Sequence, residues 1–190
     1  MAMTHHDFTP TQDANLIFRV SQFYYLEARL LDERHFRGWL ELLDPKIEYA
    51  VASRHVPQPD PKVNGTHELI SVEKEIELRG PHASPLRLEG FAQLQIRANR
   101  HYKISARSEC PAERTCRVIA NIEVQKLNEE ECLTHSNFVL YYSHHRDNNH
   151  IYTGSRRDRL LIIGDTFKIV AREVIPSWDV VTAPTMALIF

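Results

Sequence analysis

Between Tyr141 and Leu161 the chain reads YYSHHRDNNHIYTGSRRDRLL, which gathers three histidines, two aspartates and four arginines. Two imidazoles and one carboxylate can hold a non-haem Fe(II) on three neighbouring positions and leave others open to dioxygen. His145 and His150, with Asp147 or Asp158 as the third donor, have the residue types for this. The local context argues against it. A two-residue turn at Asp147-Asn148 would set His145 opposite His150, whereas a turn at Asn148-Asn149 would set it opposite Tyr152. Turn side chains are also exposed, where the outer hydrogen bonds that orient metal ligands are hard to supply.

A Rieske cluster needs two cysteines and two histidines on adjacent loops, since thiolates hold one iron and imidazoles the other. Cys132-Leu133-Thr134-His135 has the spacing of one half, but neither Cys110 nor Cys116 has a histidine two positions on. Half a motif holds no cluster. General acid–base chemistry would need His, Asp or Tyr side chains inside a pocket with pKa values shifted by burial. Tyr24, Tyr25, Tyr49, His101, His135 and Asp158 are the candidates, and they form no local motif. Tyrosines at such positions commonly belong to a core with a satisfied hydroxyl. No Gly-rich phosphate loop, serine nucleophile elbow or Cys-x-x-Cys pair is present.

The elements that would position these groups follow from periodicity. Apolar residues at 16, 17, 20, 23, 24, 28, 30 and 31 fall mostly on one face of a helix, with Thr11 or Asp13 as its cap. A second helix in DERHFRGWLELLD would be capped by Asp32 and stopped by Asp44-Pro45. KIEYAVAS alternates as a half-buried strand. Residues 54–67 form a proline-rich loop, ISVEKEIELRG is read as extended, and EGFAQLQIRANRHY as a third helix. From residue 115 the period is two: CRVIANIEVQKL, THSNFVLYYSHH, IYTGSRRDRLLII and FKIVAREVIP are strands. Helices first and a long antiparallel meander afterwards give an α+β domain with the helices on one face of a curved, mainly antiparallel sheet. This order is expected of the cone-shaped fold of nuclear transport factor-like, cystatin-like proteins.

Composition sets the outer limits. The 190 residues suit one domain, with residues 1–12 expected as a flexible N-terminus and 177–190 as a C-terminal docking segment. A formal charge of −2 gives no nucleic-acid footprint, and no apolar run is long enough to span a bilayer. The start has no secretory pattern, and three cysteines suit reduced thiols, so a cytoplasmic location is expected.

Four ordered stretches carry a resemblance. FYYLEARLLDERHFRGWLELL is similar to the opening helices of the small, or beta, subunit of aromatic-ring-hydroxylating dioxygenases. SECPAERTCRVIANIEV resembles that family's Ser-x-x-Pro-x-x-Arg turn and following strand through Ser108, Pro111, Arg114 and Asn121. It departs from the family at Ala120 and Cys116-Arg117. GSRRDRLLI and the apolar TAPTMALIF resemble the family's Gly-Arg-Arg-x-Asp-x-Leu strand and its ending. The resemblance implies a structural subunit with no iron ligand, catalytic residue or cofactor of its own. Its partner would be an alpha subunit, three with three, that carries the Rieske 2Fe-2S cluster and a mononuclear Fe(II). A ferredoxin and a reductase would deliver electrons from NAD(P)H. The implied reaction is cis-dihydroxylation of an aromatic ring.

Alternation along GSRRDRLLI places Arg157 and Arg159 on one face and Arg156 and Asp158 on the other. Such charges are either a solvated face or a subunit boundary, which suits arginine's bidentate contacts. Arg114, Arg156, Arg157, Asp158, Arg159, Trp178 and Phe190 are the candidate interface residues, the last two because so apolar a segment must dock somewhere. The rival functions are a stand-alone isomerase or dehydratase on the same fold and a non-enzymatic ligand-binding module.

Overall fold

Asp13 opens the first helix, its Oδ1 accepting the amides of Asn15 and Leu16 at 3.0 and 3.1 Å. The computed structural model describes residues 8–54, 76–77, 84–103, 112–144, 148–180 and 185–190. Helix α1, Ala14–Asp32, buries Leu16, Val20, Phe23, Tyr24, Glu27, Ala28 and Leu31 along one stripe. The helix runs through Asp32, which was expected to cap the next one. Its carboxylate is instead taken by a distant strand, accepting from Thr115 Oγ1 and the Arg117 amide, each at 2.8 Å. The break comes at Arg34, at φ 61°, and α2, Phe36–Leu40, follows with Trp39 fully buried.

Strand β1, Leu43–Val51, begins at once and takes in Asp44-Pro45, the expected helix stop. Pro45 is tolerated because the ladder to the last strand is irregular between Leu43 and Glu48. Short strands β2, Ser53–Arg54, and β3, Ile76–Glu77, pair with each other. The remainder of the proline loop and of the stretch read as extended lies outside the described residues. Strand β4, Arg87–Glu89, precedes α3, Phe91–Arg100. Four long strands complete the chain: β5 Arg114–Lys126, β6 Glu131–His144, β7 Asn148–Ile163 and β8 Thr166–Pro176.

The six-stranded sheet has the order β4-β1-β8-β7-β6-β5. Strands β5 to β8 form the expected meander, but β1 lies parallel to β8, so the sheet is mixed. The helices cover one face, and Cys132, Thr134, Ser136, Phe138, Leu140 and Tyr142 of β6 point into the core beneath them. Their neighbours in sequence point to the opposite, outer face. The β6–β7 register pairs Tyr142 with His150 and His144 with Asn148, which matches neither two-residue turn considered from the sequence. Residues 145–147, His145 included, lie outside the described residues. Within the stretch expected to be flexible, Phe8 stacks on His135 at 3.9 Å and the Thr11 amide donates to Val124 O at 2.7 Å.

One glycine decides how the core closes. A Cβ on Gly154 would lie 2.5 Å from Ile175 O and 2.7 Å from the Phe138 ring, so the absence of a side chain lets that ring lie against the β7 backbone. Gly154→Ala should therefore lower unfolding free energy by about 1–3 kcal/mol, measured by urea denaturation, because ring and strand must move apart.

Candidate functional site

The deepest part of the core holds ions. Glu27 of α1, Arg156 and Asp158 of β7 and Arg172 of β8 are all at most 1% exposed. Register explains the meeting: Asp158 lies opposite Arg172 across β7 and β8, and opposite Thr134 across β6 and β7, all facing α1. Arg172 donates to both Asp158 oxygens, Nε to Oδ1 at 2.9 Å and Nη2 to Oδ2 at 2.6 Å. It also donates to both Glu27 oxygens, from Nη1 at 2.6 Å and Nη2 at 3.0 Å. Trp39 Nε1 and Arg156 Nη1 donate to Glu27 at 3.1 and 3.0 Å. Tyr24 donates its phenolic proton to Asp158 Oδ2 at 2.8 Å and contacts the Thr134 hydroxyl. Arg156 lays its guanidinium over the Tyr24 ring at 4.9 Å, a cation–π contact that occupies the plane while its Nε and Nη2 have no hydrogen-bond partner among the described residues.

Protonation follows from these neighbours. Burial alone would raise the Glu27 carboxyl, but Arg172 and Arg156 outweigh it and lower its pKa to about 2. Burial opposes the Arg172 charge, yet Asp158 and Glu27 together hold that guanidinium well above its ordinary range. Burial and the Asp158 charge push the Tyr24 phenol well up, so it stays a neutral donor. An ionised Glu27 with both oxygens saturated and a phenol fixed as donor cannot exchange protons readily near neutrality. This cluster is built to hold elements together.

The outer face of the same sheet has the opposite character. Val118 pairs with Val139, and Tyr141 with Ile151, and these four are 56%, 42%, 43% and 67% exposed. Next to this apolar patch Asn121, Glu123, His135, Asn137, Ser155 and Arg157 line a polar depression. Asn121 takes φ 52° where the β5–β6 register shifts, and the bulge re-aims the strand at that point. Burial pulls the Arg157 guanidinium below its ordinary range, against the support of Glu173 opposite it on β8.

Residues 26–183 match the family model described as "Ring hydroxylating beta subunit". The chain belongs to that family. The N,N-dimethyl phenylurea N-demethylase subunit beta of Sphingobium sp. (strain YBL2) is 26% identical over 179 residues, which cover 93% of each chain. Among solved structures, a chain of naphthalene 1,2-dioxygenase with indole in its active site superimposes with TM-score 0.78 at 21% identity, covering 98% of this chain and 94% of that one. A scytalone-dehydratase-type protein of Novosphingobium aromaticivorans DSM 12444 reaches TM-score 0.58 at 13% identity, covering 88% and 89%. The fold is therefore the α+β cone expected, and the pocket-enzyme alternative is not favoured.

In this beta subunit the acid–base candidates separate. Tyr24 and Asp158 meet in the interior, Tyr49 is buried against the Phe190 main chain, Tyr25 is exposed, His101 stacks on Phe36 at 4.1 Å, and His135 lies on the outer face. Cys132 is buried, and burial raises its thiol to about 12; three residues on, His135 points the other way, so the pair does not face one cluster. Among the described residues no group of three or more His, Cys, Asp and Glu could hold a metal ion. Cys116 is exposed, and Cys110 lies outside the described residues. No helix among the described residues is long and apolar enough to cross a membrane.

Of the candidate interface residues, Arg156, Asp158 and Phe190 are buried and held by intrachain partners. Arg114 and Arg159 are exposed, Arg157 is 7% exposed on the outer face, and Trp178 is half-buried against Tyr152 at 5.7 Å. The sequence reading missed Glu27, Arg172, Trp39, Arg97 and Arg117. The signal for Glu27 was its place on the apolar stripe of α1, three residues after Tyr24 and four before Leu31.

Glu27 has its pKa depressed in the folded state, so its contribution to stability is present above its unfolded value near 4.5 and is lost as pH falls towards 2. The gap corresponds to about 3 kcal/mol. Glu27→Gln should lose at least that much stability at pH 7 and show a shallower fall between pH 4.5 and 2, read from urea midpoints across pH.

Proposed function

We propose that this chain is the non-catalytic beta subunit of the terminal oxygenase of a cytoplasmic, multicomponent aromatic-ring-hydroxylating dioxygenase, and that it works as a scaffold. The observation that carries the reading is the family match across residues 26–183. Two features support it: Glu27, Asp158 and Arg172 inside the cone are bound by intrachain partners, and the outer face offers an apolar patch beside arginines. The partner is an iron-bearing alpha subunit, three with three, holding the Rieske 2Fe-2S cluster and the mononuclear Fe(II). A reductase and a ferredoxin pass it electrons from NAD(P)H. Oxygen chemistry on the aromatic substrate belongs to that partner.

Arginine and exposed aromatic or branched side chains are the residues that association favours. The proposed contact set is therefore Arg114, Arg157, Arg159 and Trp178 with Val118, Val139, Tyr141 and Ile151. Arg156, Asp158 and Phe190 act one layer below, keeping β7 and the C-terminal segment in place.

Co-expression with the alpha subunit of a ring-hydroxylating dioxygenase tests the proposal. A complex of both chains containing iron and forming a cis-dihydrodiol is expected. Because one relative is an N-demethylase subunit, release of formaldehyde from N-methyl aryl substrates is assayed in parallel. Failure to associate with an iron–sulfur alpha chain, or turnover of a carbonyl substrate by this chain alone, contradicts the proposal. Val139→Glu combined with Ile151→Glu should weaken association at least tenfold in sedimentation while leaving the isolated chain's stability within about 1 kcal/mol.

A further inference from the structure

Residues Thr185–Phe190 have no regular secondary structure, yet every main-chain oxygen from Ala187 to Phe190 is bound by a side chain from another element. Arg97 Nη2 of α3 donates to Ala187 O at 2.9 Å and Leu188 O at 2.7 Å. Arg117 Nη2 of β5 donates to Ile189 O at 2.9 Å. Phe190 O accepts from Arg172 Nη1 at 3.2 Å and from the Tyr49 hydroxyl of β1 at 3.1 Å, and that hydroxyl in turn accepts the Phe190 amide at 3.0 Å. At the other end Tyr152 of β7 donates to Thr185 O at 2.8 Å. The side chains of Leu188, Ile189 and Phe190 are at most 5% exposed, and the Phe190 ring lies 5.6 Å from Phe138 and 5.7 Å from Tyr152.

The donors do not depend on the segment for their own positions. Arg97 is paired with Glu89, Arg117 with Asp32, and Arg172 with Asp158 and Glu27. Each guanidinium is aimed by a carboxylate elsewhere in the fold and gives at least one further N–H to the segment. Gly154 gives Phe138 the room to form one wall of the aromatic slot. A set of donors fixed before the ligand arrives is what a binding site requires, because little ordering remains to oppose binding. Contacts to main-chain oxygens read a backbone that bends at Leu188, and the apolar slot reads one aromatic ring.

We infer that the cone carries a preformed site for an apolar peptide of irregular backbone with an aromatic residue where Phe190 sits, filled here by the chain's own Thr185–Phe190 segment and fillable by that segment as a separate molecule. The site's ligand chemistry is a run of main-chain carbonyls for three arginines and two tyrosines, together with a benzyl group for the Phe138–Tyr152 slot. This does not rest on the oxygenase reading, because it concerns this chain alone.

The test uses a variant ending at Pro184 and the synthetic hexapeptide Thr-Met-Ala-Leu-Ile-Phe. Saturable binding that raises the melting temperature is expected, with the Phe190→Ala peptide at least about tenfold weaker. If the shortened chain does not fold alone, co-expressed segment should restore soluble protein. A folded variant that ignores the peptide, an unfolded one that the segment does not rescue, or equal binding of the Phe190→Ala peptide overturns the inference. In the full-length chain, Tyr49→Phe should speed hydrogen exchange of the Phe190 amide at least tenfold; unchanged exchange overturns the inference as well.

Discussion

Arg172, removed from water, finds acceptors for its N–H groups on three separate pieces of chain. Its partners are Asp158 on the adjacent strand, Glu27 on α1 and the main chain at Phe190. The sheet, the covering helix and the C-terminal segment therefore converge on one side chain. Replacing such a cluster wholesale by apolar groups can be neutral, but removing one partner strands a buried charge at about 3–5 kcal/mol. The cluster makes the relative placement of these elements specific, since an error in register would leave an ion unpaired.

That arrangement bears on function. A cone with its helices on a curved sheet can enclose a reaction pocket, but a pocket enzyme needs groups whose protonation changes near neutrality. Here Glu27 is ionised down to a pH of about 2, Tyr24 is fixed as a donor, and Phe190 lies between Phe138 and Tyr152. Chemistry has little room inside, whereas the outer face leaves apolar side chains in water. A member of the ring hydroxylating beta subunit family with a locked interior and an open sheet face is suited to holding another chain.

Periodicity made much of this legible. The α1 stripe, the four long strands and the split of Arg156 and Asp158 from Arg157 and Arg159 all follow from spacings of 3.6 and 2. The burial of Arg156 and Asp158 does not, because alternation names a face without saying what covers it. Their partners, Glu27 and Arg172, lie 129 and 14 residues away respectively, so no local pattern joins them. Asp32 misled because a carboxylate before an apolar run is the signature of a helix start; β5 captured it from outside the helix. The parallel pairing of β1 with β8 joins opposite ends of the sequence and leaves no trace in either strand.

A purely structural role for the interior ions is tested most directly by turnover per iron in the purified alpha–beta complex when Tyr24→Phe and Asp158→Asn are introduced together in this chain. Lower thermal stability with turnover per iron within about twofold of the parent is the expected result, since twofold is well under the 1.4 kcal/mol that a tenfold change represents. A complex that assembles with its full iron content but loses turnover more than tenfold would contradict it.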